Sequence, residues 1–394
     1  GLGGVGAVLP YLYLAGVGTL WPAHHWEDPT TLSGLVRLVL RVKYGVVLFG
    51  LETGPRAGPL FQVTRYLANL AEHFLWPAFA LGLFGLARLA QRDRAFLACS
   101  GAGFLLGVAV VAKAHMDPRV SAFDAATLER LYLLPHFFFV LWVGVAMGVV
   151  GNAISRPPGS TWAAAGVLLV LPACLVARNA PHTSGRGNYL YPRLMENVLG
   201  TLPPGAVLLC WTDIVGLGVD AVQTVDRRRP DVPYVMMGLV GSEPYRSTVR
   251  RQYPELFWPV ARPGEPFDLS RFLEENLRRH RIFLDTEVVP TEYPLVPYGI
   301  LWEVLPYASR RSPEEIIGTN EALWRRYDLR QAQTTLYAPN AMCRTVVVDH
   351  YVRPRLALAR LYERLGRHAE ARRHRDACRW MDPTGEAPES GGVQ

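Results

Sequence analysis

Five apolar stretches in the first half of the chain, at 2–20, 69–90, 95–115, 132–153 and 161–177, are each near the roughly 20 residues a helix needs to cross the hydrocarbon core of a bilayer. Inside hydrocarbon only structures that satisfy their own backbone survive, so runs of this length predict membrane helices. Pro10, in the first run, is tolerable in a helix that packs on neighbours. Only 19% of the 394 residues are charged, against about a quarter in soluble domains. The apolar excess ends near residue 180. The expected fold is therefore a membrane α-helical bundle over 1–179, followed by a soluble part.

The short connectors set the orientation. Arg88, Arg92 and Arg94 flank the turn at 91–94, and Arg156 marks the turn at 154–160. Placing both in the cytoplasm obeys the positive-inside rule. The loop 21–68, the polar segment 116–131 and everything after 178 then share the opposite, extracytoplasmic face. Within the loop, Leu32, Leu35, Val36, Val39 and Leu40 recur at helical spacing, while Arg37, Arg41 and Lys43 fall to the other side. That pattern predicts an interfacial amphipathic helix, with Thr30 or Thr31 as its N-cap.

The soluble half reads as an α/β domain over 180–310. A short helix at 188–199 precedes a buried strand at 206–211, with Thr212-Asp213 just past its end. A helical run to 226, a strand at 232–240 and another at 281–289 follow. Strand–helix–strand order argues for an α/β unit, and continuous apolar strands argue for a parallel sheet. The stretch 290–308 is rich in Pro and Tyr and reads as irregular. Residues 311–383 return to helix. Over 352–383, Leu358, Ala359, Tyr362, Gly366, Ala371, Cys378 and Pro383 fit one tetratricopeptide-like repeat, a helical hairpin that must pack on 312–340 or on the α/β unit. The tail 384–394 is polar and reads as disordered.

The residues able to carry chemistry lie mostly in the first loop. Glu27 and Asp28, beside His24 and His25, are acid, base or ligand candidates. An adjacent His pair lacks the i, i+4 spacing of a helical zinc site, so no metal is expected. The alternative is a loop whose Asp28 caps a turn before Pro29 while Trp21 and Trp26 anchor in the headgroup region. Arg41, Lys43 and Tyr44 suit either a lipid-linked phosphate or anionic lipid in general. Lys113, His115, Asp117 and Arg119 end the third span, and Glu129, Arg130 and His136 begin the fourth, where ionisable groups are functional or simply snorkel. Asp213 sits at a strand's carboxyl end, where α/β sites form. The formal charge of +7 comes with no nucleic-acid motif, and no such partner is expected. The five Cys form no metal pattern; Cys343 and Cys378 are free to pair only in an oxidising compartment.

In succession these residues resemble a family of multi-spanning GT-C-type glycosyltransferases, first described as a domain of unknown function, which includes a protein O-mannosyltransferase and bacterial homologues. The likeness rests on Leu9-Pro10-Tyr11-Leu12-Tyr13-Leu14, on Trp26-Glu27-Asp28-Pro29-Thr30-Thr31, and on Arg41-Val42-Lys43-Tyr44-Gly45. It continues through Glu129-Arg130-Leu131-Tyr132, Leu202-Pro203-Pro204-Gly205-Ala206, Thr212-Asp213 and Arg229-Pro230-Asp231-Val232. Glu27 stands where the family typically has Gly.

The resemblance implies transfer of a sugar, mannose in the eukaryotic relative, from a polyprenyl-phosphate donor to an extracytoplasmic protein or glycan acceptor, with no cofactor. It implies Asp28 and Glu27 as catalytic acids, and a principal acid upstream of Gly1, in a part of the protein that this chain lacks. It implies Arg41, Lys43, Arg119 and Arg130 on the donor phosphate, and His25, Trp26, Tyr44 and Asp213 in positioning. The expected location is a bacterial inner membrane. The rival expectation is a non-catalytic, membrane-anchored interaction module whose repeat-like tail serves envelope assembly.

Overall fold

A computed structural model describes residues 13, 16, 30–39, 57–114, 116–119, 122–154, 161–183, 187–259, 267–287, 292–307, 309–337 and 340–385. The chain divides into two compact units, one of 41–187 and one of 1–40 with 188–394.

The amphipathic stretch is helical as its spacing predicts: α1 runs Leu32–Val39, and Thr31 caps it by accepting from the Gly34 amide at 3.0 Å. In the unit 41–187, α2 spans Pro59–Arg92, α3 Arg94–Lys113, α4 Ala122–Leu131, α5 Leu133–Ile154 and α6 Thr161–Thr183. Three of these, α2, α3 and α5, are long and apolar enough to cross a membrane. Apart from residues 13 and 16, the first predicted span lies outside the described residues. In α6 the described apolar part is the shorter Leu169–Ala180. Outward-facing Leu83, Leu105, Leu106, Leu133, Phe137 and Val140 are all exposed, a surface suited to lipid rather than water.

Two boundaries differ from the sequence reading. The second helix begins at Pro59 rather than 69, because Pro is pre-organised for a first helical position and Gln62 and Tyr66 of its early turns are buried. The polar segment 116–131 is not all loop: α4 occupies most of it. Within α2, Leu75 breaks the helix with φ 60° and ψ 150°. Pro77 stands two residues on, where its missing N–H and its ring disrupt the preceding turn.

The bundle closes through glycine. A Cβ on Gly85 would lie 1.8 Å from the Trp142 carbonyl oxygen of α5, and one on Gly82 would lie 2.3 Å from the Phe139 ring. On α3, Gly103 and Gly107 receive Phe138 and Pro135 of α5 in the same way. Small residues allow such backbone approach where hydrophobic driving force between helices is absent. The Trp142 indole N–H donates to the Ser100 hydroxyl at 3.0 Å, tying α5 to α3.

The second unit holds α7 (Leu190–Thr201), β1 (Val207–Cys210), α8 (Asp213–Val225), β2 (Tyr234–Met236), α9 (Glu243–Gln252), α10 (Leu269–Asn276) and β3 (Ile282–Leu284). The sheet order is β2-β1-β3-β5-β4. β1 is parallel to β2 and β3, as the apolar strands predict. The stretch read as irregular instead forms a hairpin, β4 (Leu295–Tyr298) and β5 (Leu301–Val304), antiparallel to β3 through β5. Pro297 is compatible with β4 because that strand is an edge. The turn needs Gly299, whose φ is +66° and whose Cβ would meet the Tyr327 hydroxyl at 1.8 Å.

Helices α11 (Pro313–Arg326), α12 (Ala341–Val347), α13 (Arg353–Arg364) and α14 (His368–Met381) complete this unit. The last two form a hairpin that turns at Gly366, with φ +72°. It packs on α11 through Glu321, which accepts from the Tyr362 hydroxyl at 2.8 Å and pairs with His374 Nε2 at 2.9 Å. Cys343 and Cys378 are buried free thiols.

Overpacking the closest helix contact tests the bundle. Gly85→Val is expected to cost about 2 kcal/mol or more, seen as a lower melting temperature in detergent. Gly144→Ala, which meets nothing within 4 Å, is expected to melt like the wild type. Equal melting of all three proteins would refute the α2–α5 contact.

Candidate functional site

Of the residues predicted from sequence, His25, Trp26, Glu27, Asp28, Arg41, Lys43 and Tyr44 lie outside the described residues, as does His115. Arg119 and Arg130 belong to the bundle unit and Asp213 to the other.

Arg119 and Arg130 come from the same end of the bundle, where α2 and α5 begin and α3 ends. The turn between α3 and α4 is fastened there: the Ala57 amide and the Gln62 side-chain amide both donate to the Met116 carbonyl, at 3.3 and 2.7 Å. The Asp117 amide donates to the Asp124 carboxylate at 3.0 Å. Arg119 grips Asp117 with two bonds, Nε to Oδ1 at 2.9 Å and Nη2 to Oδ2 at 2.6 Å, and lies 4.6 Å over the Phe61 ring. That guanidinium holds the Asp117 carboxyl down to about 2. Arg119 is thus already committed to a carboxylate, although its side chain remains 57% exposed. Lys113, Glu129 and Arg130 are exposed.

Beneath this charged layer lies a neutral one that sequence reading largely missed. Gln62 and Tyr66 of α2 are fully buried. Tyr66 packs edge-on against Tyr132 with ring centroids 5.2 Å apart, and lies 5.5 Å from His136 and 6.2 Å from Phe104. Phe74 meets His136 edge-on at 5.3 Å. Among the described residues, Gln62 Oε1, the Tyr66 hydroxyl, the Thr127 hydroxyl and His136 Nε2 are buried without a hydrogen-bond partner. The available signal was the spacing of Gln62 and Tyr66, four apart and hence on one helix face, in a stretch whose polarity reads as loop.

At the sheet, Asp213 is the first residue of α8, exposed behind the Thr212 cap. The organised acid at the carboxyl edge is Asp285, just past β3. Its Oδ1 accepts from the Trp211 amide at 2.8 Å, and its Oδ2 from the Thr212 amide and hydroxyl at 2.9 and 2.5 Å. Burial pushes the Asp285 carboxyl up to about 6 in spite of these three donors. His350 hydrogen-bonds the Asp285 backbone, and burial pushes its imidazole down to about 4. This is a staple joining the ends of β1 and β3 at the point where the strand order reverses. A cleft of about 370 Å³ lies instead at the amino end of β2, lined by Asp220, Gln223, Asp231, Tyr234, Tyr253 and Glu255 among others. Among the described residues no three His, Cys, Asp or Glu side chains gather as metal ligands.

No known family profile and no solved structure matches the chain. Among curated proteins, Protein O-mannosyl-transferase TMEM260 of Mus musculus is similar to it, 24% identical over 344 residues, which is 80% of this chain and 48% of the mouse protein. The chain thus spans about half the length of that relative.

The Asp285 staple predicts a pH dependence. Its folded-state value is raised above the ordinary 3.8, so the folded state holds the proton more tightly than the unfolded chain. The contribution is fully present below pH 4 and is lost as pH rises through 6, by about 3 kcal/mol in all. Asp285→Asn is expected to flatten that slope. It also lowers stability at every pH, because an amide N–H₂ cannot accept from Thr212. Unfolding of the full-length protein in detergent between pH 4 and 7 reads both effects; parallel wild-type and variant profiles would refute the assignment.

Proposed function

We propose that the chain is part of a membrane glycosyltransferase that moves a sugar from a polyprenyl-phosphate donor to an extracytoplasmic protein or glycan acceptor. The observation that carries this reading is the likeness to a protein O-mannosyl-transferase across 80% of the chain. A bundle with three membrane-length helices and a polar, basic end supports it. The donor's lipid stays in the bilayer while its phosphate and sugar reach that end. Arg41, Lys43 and Arg130 stabilise the leaving phosphate by charge, and Arg119 joins them only by sharing its guanidinium with Asp117. Asp28, with Glu27, acts as acid or base on the acceptor, and His25, Trp26 and Tyr44 position the substrate. Asp213 is likewise read as a positioning residue. The hairpin of α13 and α14 is a single tetratricopeptide-like pair in this reading, and the enzyme is a multi-pass protein of a bacterial inner membrane.

Two measurements test it. In the full-length protein, Asp28→Asn and Arg41→Ala are each expected to lower sugar transfer from a radiolabelled polyprenyl-phosphate donor by roughly 100-fold or more. Unchanged transfer would favour the anchored, non-catalytic module. With native thiols blocked, a cysteine replacing Arg130 is expected to react with an impermeant maleimide from outside the cell, and one replacing Arg92 is not. The reverse pattern would invert the topology.

A further inference from the structure

Five buried polar atoms at one end of the bundle lack a hydrogen-bond partner among the described residues: the Tyr132 hydroxyl, which lies beside Arg65, and four more, Gln62 Oε1, the Tyr66 hydroxyl, the Thr127 hydroxyl and His136 Nε2. These four come from three different helices, α2, α4 and α5, so no single helix's local geometry accounts for them. Buried polar groups in native proteins are almost always paired, and each exception calls for an explanation. The chemistry of the four is specific. Gln62 Oε1 is a carbonyl oxygen and only accepts, while one N–H of its amide donates to the Met116 carbonyl. The two hydroxyls both donate and accept. A phosphate brings acceptors and leaves Gln62 Oε1 empty. An ammonium brings donors and leaves the hydroxyl protons unplaced. Alcohol groups supply both roles at once. None of the four groups is a fixed charge, and the rings of Tyr66, Phe74, Phe104 and Tyr132 stand around them, the mixture of apolar walls and a few polar groups found in small-molecule sites.

We propose that Gln62, Tyr66, Thr127 and His136 form a subsite for an uncharged, hydroxyl-rich glycosyl group at the end of the bundle. The proposal rests on the transferase reading and deepens it: these neutral groups take the sugar of the donor. Entry parts the turn at 116–119 from α2, where the Gln62–Met116 bond holds it. The competing occupant is internal water, which also donates and accepts.

The test is calorimetric binding to the full-length protein in detergent, with two probes: an isoprenyl phosphate carrying one hexose, and the same isoprenyl phosphate bare. The comparison is with the double variant Tyr66→Phe, Thr127→Val, which removes two oxygens at nearly constant shape and deletes no existing hydrogen bond. Its melting temperature is therefore expected to match or exceed that of the wild type. The wild type is expected to prefer the hexose-bearing lipid by about tenfold, and the variant to bind both lipids with the bare lipid's affinity. A variant that keeps the preference would overturn the subsite and leave the four groups to water. Equal binding of both lipids by the wild type would overturn it while the transferase reading stands. Failure to bind either lipid would remove both. If the double variant does not fold, Tyr66→Phe alone is read the same way.

Discussion

The membrane unit depends on one contact, the approach of α2 to α5 at Gly82 and Gly85. A Cβ at Gly85 would sit 1.8 Å from a backbone oxygen, so no other residue type allows this spacing. Because α2 and α5 run in the same direction, closing them at Gly85 and Trp142 also fixes what meets above. Phe74 falls against His136 and Phe139, and one further step brings Tyr66 onto Tyr132 and His136. The glycine contact near one end of the helices therefore sets the register of the polar cluster at the other. Hydrocarbon on the outside offers no force to press helices together, so shape and the Trp142–Ser100 bond do that work.

The sheet unit solves a different problem, burying charge without leaving it unpaired. Glu303 is almost wholly buried and accepts from Arg281 and Arg311 through the same oxygen, at 2.8 Å each. Asp285 is equally buried and has only neutral donors. Burial pushes the Asp285 carboxyl up. A buried carboxylate with amide and hydroxyl donors alone still resists ionisation, because three hydrogen bonds do not replace full hydration. The strand order makes Asp285 necessary: where β1 and β3 part, the chain leaves both strands and the amides of Trp211 and Thr212 need an acceptor. Breaking a buried acid's partners leaves it uncompensated and costs several kcal/mol, so both acids tie the strands to their surroundings.

Much of this architecture was legible in the chain. The apolar runs located α2, α3 and α5, the Thr cap located the start of α1, and the apolar strands located β1, β2 and β3 with their parallel pairing. The failures have physical causes. Residues 59–68 read as loop because Gln62, Thr64 and Arg65 are polar, yet Gln62 is buried and the exposed Thr64 hydroxyl donates to its own helix carbonyls, so this polarity is compatible with a helix end. The hairpin β4–β5 was hidden because Pro297 and the tyrosines mask alternation, and an edge strand tolerates what a central strand does not. Asp285 was read only as part of a strand, since nothing in its neighbours announces that Trp211 and Thr212, more than seventy residues earlier, will point amides at it. Arg119 was legible as a cation, but its pairing with Asp117 two residues away was not weighed against a phosphate role.

The two layers at the bundle's end follow one electrostatic logic. A guanidinium near the water phase keeps much of its hydration and pairs readily, as Arg119 does with Asp117; an ion buried beneath it would face a desolvation cost of several kcal/mol. Neutral hydroxyl, amide and imidazole groups are cheaper to bury, at about 1–3 kcal/mol for each left unpaired. Burying four such atoms together is nonetheless a sizeable fraction of the stability of an ordinary domain. The arrangement is stable only if the four gain partners for much of the protein's life.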